Sequence, residues 1–160
     1  MEGRQHQDRT TTLMPRPSIR TELENQSVIW LGSTRPDGTP HVVPTWFLWD
    51  GQSILLFSKP DAQKVRNMRA NPRVMVAVGD PGPDFDVELA EAIAEVVDPS
   101  TRPSVPDAFV AKYAVMAARA GLTMARFADV YQQPVRIRPT RWLGWGGRGW
   151  SEAAGASWVR

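Results

Sequence analysis

The stretch Ser58-Lys59-Pro60-Asp61 leads from an apolar run into a helical pattern that carries Lys64, Arg66 and Arg69. A chain turning from strand into helix aims unsatisfied backbone N–H groups, and the positive end of the helix dipole, at whatever lies before the helix. Lys59 at the entry and Lys64 one turn further in would add charge-assisted contacts to an anion such as a phosphate. Ser58 would add a hydroxyl. The same residues also fit a solvated basic helix capped by Ser58 or Asp61. Arg69 lies about 140° from Lys64 around the helix, so the two cannot face one phosphate equally, and Arg69 ranks below Lys64.

A second constellation, Pro44-Thr45-Trp46-Phe47, sits in a run of β-branched and aromatic residues. Pro44 removes a ladder donor, which leaves irregular backbone where a ligand can bind. Strand alternation puts Pro44 and Trp46 on one face and Thr45 on the other. Trp46, Phe47 and Trp49 fit an ordinary core equally well, because aromatic residues are core-formers first. No side chain stands out as a nucleophile or as an acid/base pair, which is compatible with chemistry carried by a bound cofactor. A proton would then come from solvent or from one of Lys59, Tyr113 and Arg141.

Composition closes several other routes. The chain has no cysteine, so disulfides, thiolate metal sites and cysteine nucleophiles are excluded. Its two histidines, His6 and His41, are too few for the three-ligand sites of catalytic zinc, so no metal is expected. A net charge of +2, spread along the sequence, argues against nucleic acid as partner. No apolar run approaches the roughly 18 residues that span a bilayer. The polar segment Met1 to Arg20 lacks the apolar block of a secretory signal, and the expected location is the cytoplasm.

The elements that must position these residues follow from periodicity. Residues 1–20 read as a flexible lead-in, with the folded part beginning near Thr21. Three strands are expected: one from Val28, one from about His41 to Trp49, and one from Ser53 to Ser58. Turns at Arg35 to Thr39 and at Asp50-Gly51 would join them into an antiparallel meander. Asp61 to Asn71 is a short amphipathic helix stopped by Pro72. Val74 to Val78 is a strand, and a longer one follows from Phe85, whose alternation fails at Glu91 and predicts a bulge or bend. Pro106 to Gln133 reads as two helices with a break near Gly121. The last strand begins at Pro134 and ends before Pro139. The sum is six strands with peripheral helices, a small barrel or sheet over residues 21–145, followed by a Trp- and Gly-bearing tail, 146–160.

With those blocks in order, the chain resembles the flavin/deazaflavin oxidoreductase superfamily of the pyridoxamine 5'-phosphate oxidases. The match is strongest in LGSTRPDGTPHVVPTWFLWDG and SKPDAQKVRNMRANPRVMVAVGD. It continues more weakly through ELAEAIAEVVD and VRIRPTRWLGW. The branch it most resembles uses the deazaflavin coenzyme F420, because Pro44-Thr45-Trp46-Phe47 stands where the flavin mononucleotide (FMN) oxidases tend to carry phosphate-clasping basic residues. The resemblance implies a dimeric, six-stranded antiparallel split β-barrel, the FMN-binding split barrel, mainly β with peripheral helices. It also implies hydride transfer from reduced F420 to an electrophilic small-molecule acceptor. Pro44, Thr45 and Trp46 would meet the ring, Ser58, Lys59 and Lys64 the phosphate, and Arg69 the outer part of the acidic tail. Arg141 and Trp142 resemble residues of the strand through which a partner subunit reaches the cofactor. The acidic residue that usually follows is replaced here by Leu143-Gly144-Trp145. The alternatives are an FMN-dependent oxidase and a non-catalytic cofactor-binding protein.

Overall fold

The computed structural model describes residues 14–15, 17–80, 86–98, 100 and 104–145. Helix α1 (Pro17–Asn25) precedes strand β1 (Ile29–Thr34), strand β2 (Pro40–Thr45), strand β3 (Leu48–Trp49) and strand β4 (Ile54–Ser58). Helix α2 (Gln63–Ala70), strand β5 (Arg73–Asp80) and strand β6 (Asp86–Val96) follow. Helix α3 (Asp107–Arg119), helix α4 (Met124–Val130) and strand β7 (Gln133–Trp145) complete the order.

The seven strands form one antiparallel sheet in the order β2-β1-β5-β6-β7-β4-β3. Seven rather than six strands arise because the expected strand from His41 to Trp49 is interrupted at Trp46 and Phe47. Its first half pairs with β1 and its second half with β4, which corrects the three-strand meander. Consecutive segments thus occupy opposite ends of the hydrogen-bonded order, and the sheet must curl to bring them together. That curl is the split barrel. The hairpin turns fall where Asp-Gly steps predict them, with Gly38 at φ 87° and Gly51 at φ 95°, values that favour glycine.

Strand β7 runs on to Trp145 instead of stopping at Pro139. A register shift between Glu91 and Ala92 admits the proline: Glu91 pairs with Arg141 and Ala92 with Pro139, leaving Thr140 as the extra residue. Thr140 Oγ1 donates to the Glu91 carbonyl at 3.0 Å. The break in pattern at Glu91 marks this bulge. Helix α1 begins at Pro17, inside the segment expected to be a lead-in. Ile19 and Leu23, four apart on one face, are both fully buried. Two apolar residues in a polar context are too short a stripe for periodicity to detect. The rest of the lead-in, residues 1–13, and the tail 146–160 lie outside the described residues.

Two cores share strand β4, whose five residues are all buried. Ile54 and Leu56 point into the barrel with Ile29, Leu31, Val76, Val135, Ile137 and Trp142. Leu55 and Phe57 point outward beneath α3 and α4, against Phe109, Tyr113 and Phe127. A strand covered on both faces loses its polar alternation, which is why Ser53 to Ser58 reads as a solid apolar run.

Candidate functional site

A cavity of about 400 Å³ opens between the end of β2, helix α2 and the α3–α4 pair. Pro44, Thr45 and Trp46 line it from the strand end, and Lys64 lines it from α2. Four residues singled out in the sequence thus meet in one place. Val28, Phe57, Ala120, Leu122, Phe127 and Tyr131 complete the lining. Sequence reasoning missed these six, because their apolar spacing reports only that a helix or strand packs on something.

Stacked aromatic rings build one side of the cavity. Trp46 stacks on Tyr113 with ring centroids 4.6 Å apart and an 8° interplanar angle, and on Phe127 at 5.7 Å. Phe127 in turn stacks on Tyr131 at 4.7 Å. Behind the wall, the Tyr113 hydroxyl accepts from the Phe47 N–H at 2.8 Å. It lies 2.7 Å from the Phe47 carbonyl and 3.0 Å from the Ser27 carbonyl, to which its single proton is available. Burial pushes the Tyr113 phenol up to about 12. This corrects the expectation of Tyr113 as a proton source: it is fully buried, and its hydroxyl is engaged with the backbone of the strand break.

The electrostatics of the α2 side are positive. Lys64 has no acidic partner among the described residues, and burial lowers its pKa. The pKa of His41, on β2, is held down first by burial and then by the charges of Arg35 and Lys64. Helix α2 is seated by a buried polar contact: the fully buried Asn67 donates from Nδ2 to Ser33 Oγ at 3.0 Å and accepts from Gln63 Nε2 at 2.7 Å. Ala62 is the N-cap, and no side chain caps the helix, so neither Ser58 nor Asp61 does. Arg66 folds back onto the Asp61 carbonyl and onto Gln63 Oε1.

The other expected site residues fall into two groups outside this lining. Ser58 and Arg69 meet at Gln133, which pairs with Ser58 and accepts from Arg69 at 3.0 Å, and Lys59 follows Ser58 in the chain. Arg69 also donates to the Pro60 carbonyl at 3.3 Å, and Lys59 is exposed beside it. The Ser58 hydroxyl is buried without a hydrogen-bond partner among the described residues. On β7, Arg141 pairs with Glu91 at 3.4 Å. Trp142 is 1% exposed inside the barrel and meets Trp49 edge-on. Within one chain Trp142 is therefore a core residue.

Residues 15–146 match the family model of pyridoxamine 5'-phosphate oxidase. The chain belongs to this family. Among solved structures, an F420 reductase is 29% identical with a TM-score of 0.59, over 81% of this chain and 98% of that one. A conserved hypothetical protein from Mycobacterium tuberculosis is 25% identical with a TM-score of 0.61, over 84% and 86% of the two chains. A heme storage protein from Vibrio cholerae, 17% identical with a TM-score of 0.55 over 84% and 97%, shares the fold. No curated protein matches the chain. The family fold is the flavin-binding split barrel of oxidoreductases, while the range of neighbours shows that this fold alone does not fix the chemistry. No helix among the described residues is long and apolar enough to cross a membrane.

Proposed function

We propose that this chain is an F420-dependent reductase that acts as a homodimer on an electrophilic organic acceptor. The observation that carries the reading is the convergence of Pro44, Thr45, Trp46 and Lys64 on one cavity walled by stacked rings. A flavin-type cofactor joins a flat ring to an anionic tail. The aromatic wall suits the first, and a half-buried lysine with no acidic partner among the described residues suits the second. Backbone groups at Pro44 to Trp46 would hold the ring edge and Lys64 the phosphate. Ser58, Lys59 and Arg69 would extend the contact along the tail.

When bound, reduced F420 supplies the hydride, and the residues of this chain bind, orient and exclude water. The similarity to an F420 reductase over nearly all of that protein's length supports the deazaflavin, and the family match keeps FMN as the second reading. Equilibrating the protein with F420 and FMN in parallel decides between them by fluorescence. The expected result is saturable binding of F420 with FMN weaker, and tighter FMN binding would reverse the assignment.

The dimer has a candidate surface. Trp30, Val42 and Met75 are exposed on one face of the sheet, where Gly32 pairs with both Val42 and Met75. Val42 and Met75 line a groove of about 550 Å³ that also reaches Ile93. Contiguous exposed apolar area of this kind is characteristic of interaction surfaces. Sedimentation is expected to give a dimer at micromolar concentration, and Met75→Glu to shift it toward monomer. A wild-type monomer would remove the dimer from the reading. Arg141 and Trp142 of β7 would then have no partner cofactor to reach.

A further inference from the structure

Resting on the coenzyme reading above, we propose that Tyr113 is a positioning residue for the ring-binding wall. Its hydroxyl holds both the amide and the carbonyl of Phe47, the residue where β2 gives way to β3, at 2.8 Å and 2.7 Å. Two residues carry the chain between strands at opposite ends of the sheet order, so nothing in the ladder fixes the backbone there. Tyr113 replaces the missing ladder. A buried N–H and C=O that lose strand partners must find others, and a single phenol can accept from one and donate to the other.

The same side chain sets the orientation of Trp46. Its ring lies 4.6 Å from the indole and within 8° of parallel, so the plane of the Trp46 indole is set from α3. The neighbouring Lys112 strengthens the seat: its ammonium lies 3.9 Å over the Phe47 ring and donates to the Leu23 carbonyl at 3.5 Å. Helix α3 thus grips the break from above while α1 lies behind it. Tyr113 does not line the cavity, so it acts through Phe47 and Trp46 rather than on a ligand.

The test compares Tyr113→Phe with Ile137→Val, a fully buried change in the barrel interior that leaves the break untouched. Both are titrated with F420 below their unfolding transitions. Tyr113→Phe keeps the ring and removes the hydroxyl, and is expected to weaken F420 binding about ten-fold, one hydrogen bond's worth of ordering. The emission of bound F420 should also move toward that of the free coenzyme. Ile137→Val should leave affinity and emission at wild-type values. Wild-type binding and emission in Tyr113→Phe overturn the proposal, as does an equal loss in Ile137→Val. If the wild type binds FMN but not F420, the coenzyme assignment fails and Tyr113 is judged with FMN by the same criteria. If it binds neither, both fall.

Discussion

Trp142→Ala is expected to lower the stability of the fold by about 3–5 kcal/mol, the range for removing a large aromatic side chain from a packed core. Trp142 stands opposite Ala90 on β6, where Ala90, Ala92 and Ala94 all face the interior and leave room for an indole. Trp49 closes the space from β3, ring centroids 6.1 Å apart and planes at 87°. Small side chains on one strand and a large one on the next fill the barrel, and no neighbour can collapse into the gap that alanine would leave. Trp142→Phe is expected to be much milder, because the indole N–H it removes has no hydrogen-bond partner among the described residues. Chemical denaturation measures both. A loss below about 1 kcal/mol for the alanine variant would show that the indole does not hold the core. Unchanged F420 affinity in Trp142→Phe would remove Trp142 from the cofactor site as well.

Lys64→Ala is expected to weaken F420 binding by about 1.5–3 kcal/mol, the loss of a charge-assisted contact. Wild-type binding should itself weaken as salt rises, and the variant should lose most of that dependence. Lys64→Met carries the argument further, since it keeps the stem and removes the charge. The cavity holds an ammonium with no acidic partner among the described residues, and burial lowers its pKa, so folding is opposed while Lys64 is protonated. The ligand-free Lys64→Met protein is therefore expected to melt above wild type at neutral pH. That gap should narrow as pH rises through the lowered native pKa toward the ordinary lysine value of 10.5. Higher stability together with weaker binding is the signature of a site residue. A variant that melts lower and binds F420 normally would make Lys64 a structural residue.

Much of the fold is legible before any coordinates. Asp37-Gly38 and Asp50-Gly51 announce their hairpins, the broken alternation at Glu91 announces the bulge, and Gly121 separates α3 from α4 at φ 71°. These are local signals, each written in a few adjacent residues. The length of β7 was not legible: Pro139 reads as a stop, and only the bulge at Thr140, within β7 itself, makes a proline harmless there.

The site divides along the same line. Residue types alone mark Lys64 as a cation near a helix start and Pro44 as an irregular strand position, and they place Pro44, Thr45 and Trp46 side by side. They do not place Tyr113. Sequence chemistry offers a phenol as an acid, whereas the fold buries it against the backbone of Phe47, 66 residues away. Nor do they separate Trp142 from Trp46: one indole fills the barrel and the other faces a cavity, although both sit in strand-like, aromatic surroundings. Chain-local conformation is set by steric and hydrogen-bonding preferences that neighbours carry with them, so the sequence by itself determined most of the elements and their turns. Burial and partnership depend on contacts between residues far apart in the chain. Only the tertiary structure decided which aromatic rings became core, which became wall, and which lysine came to lie half-buried beside them.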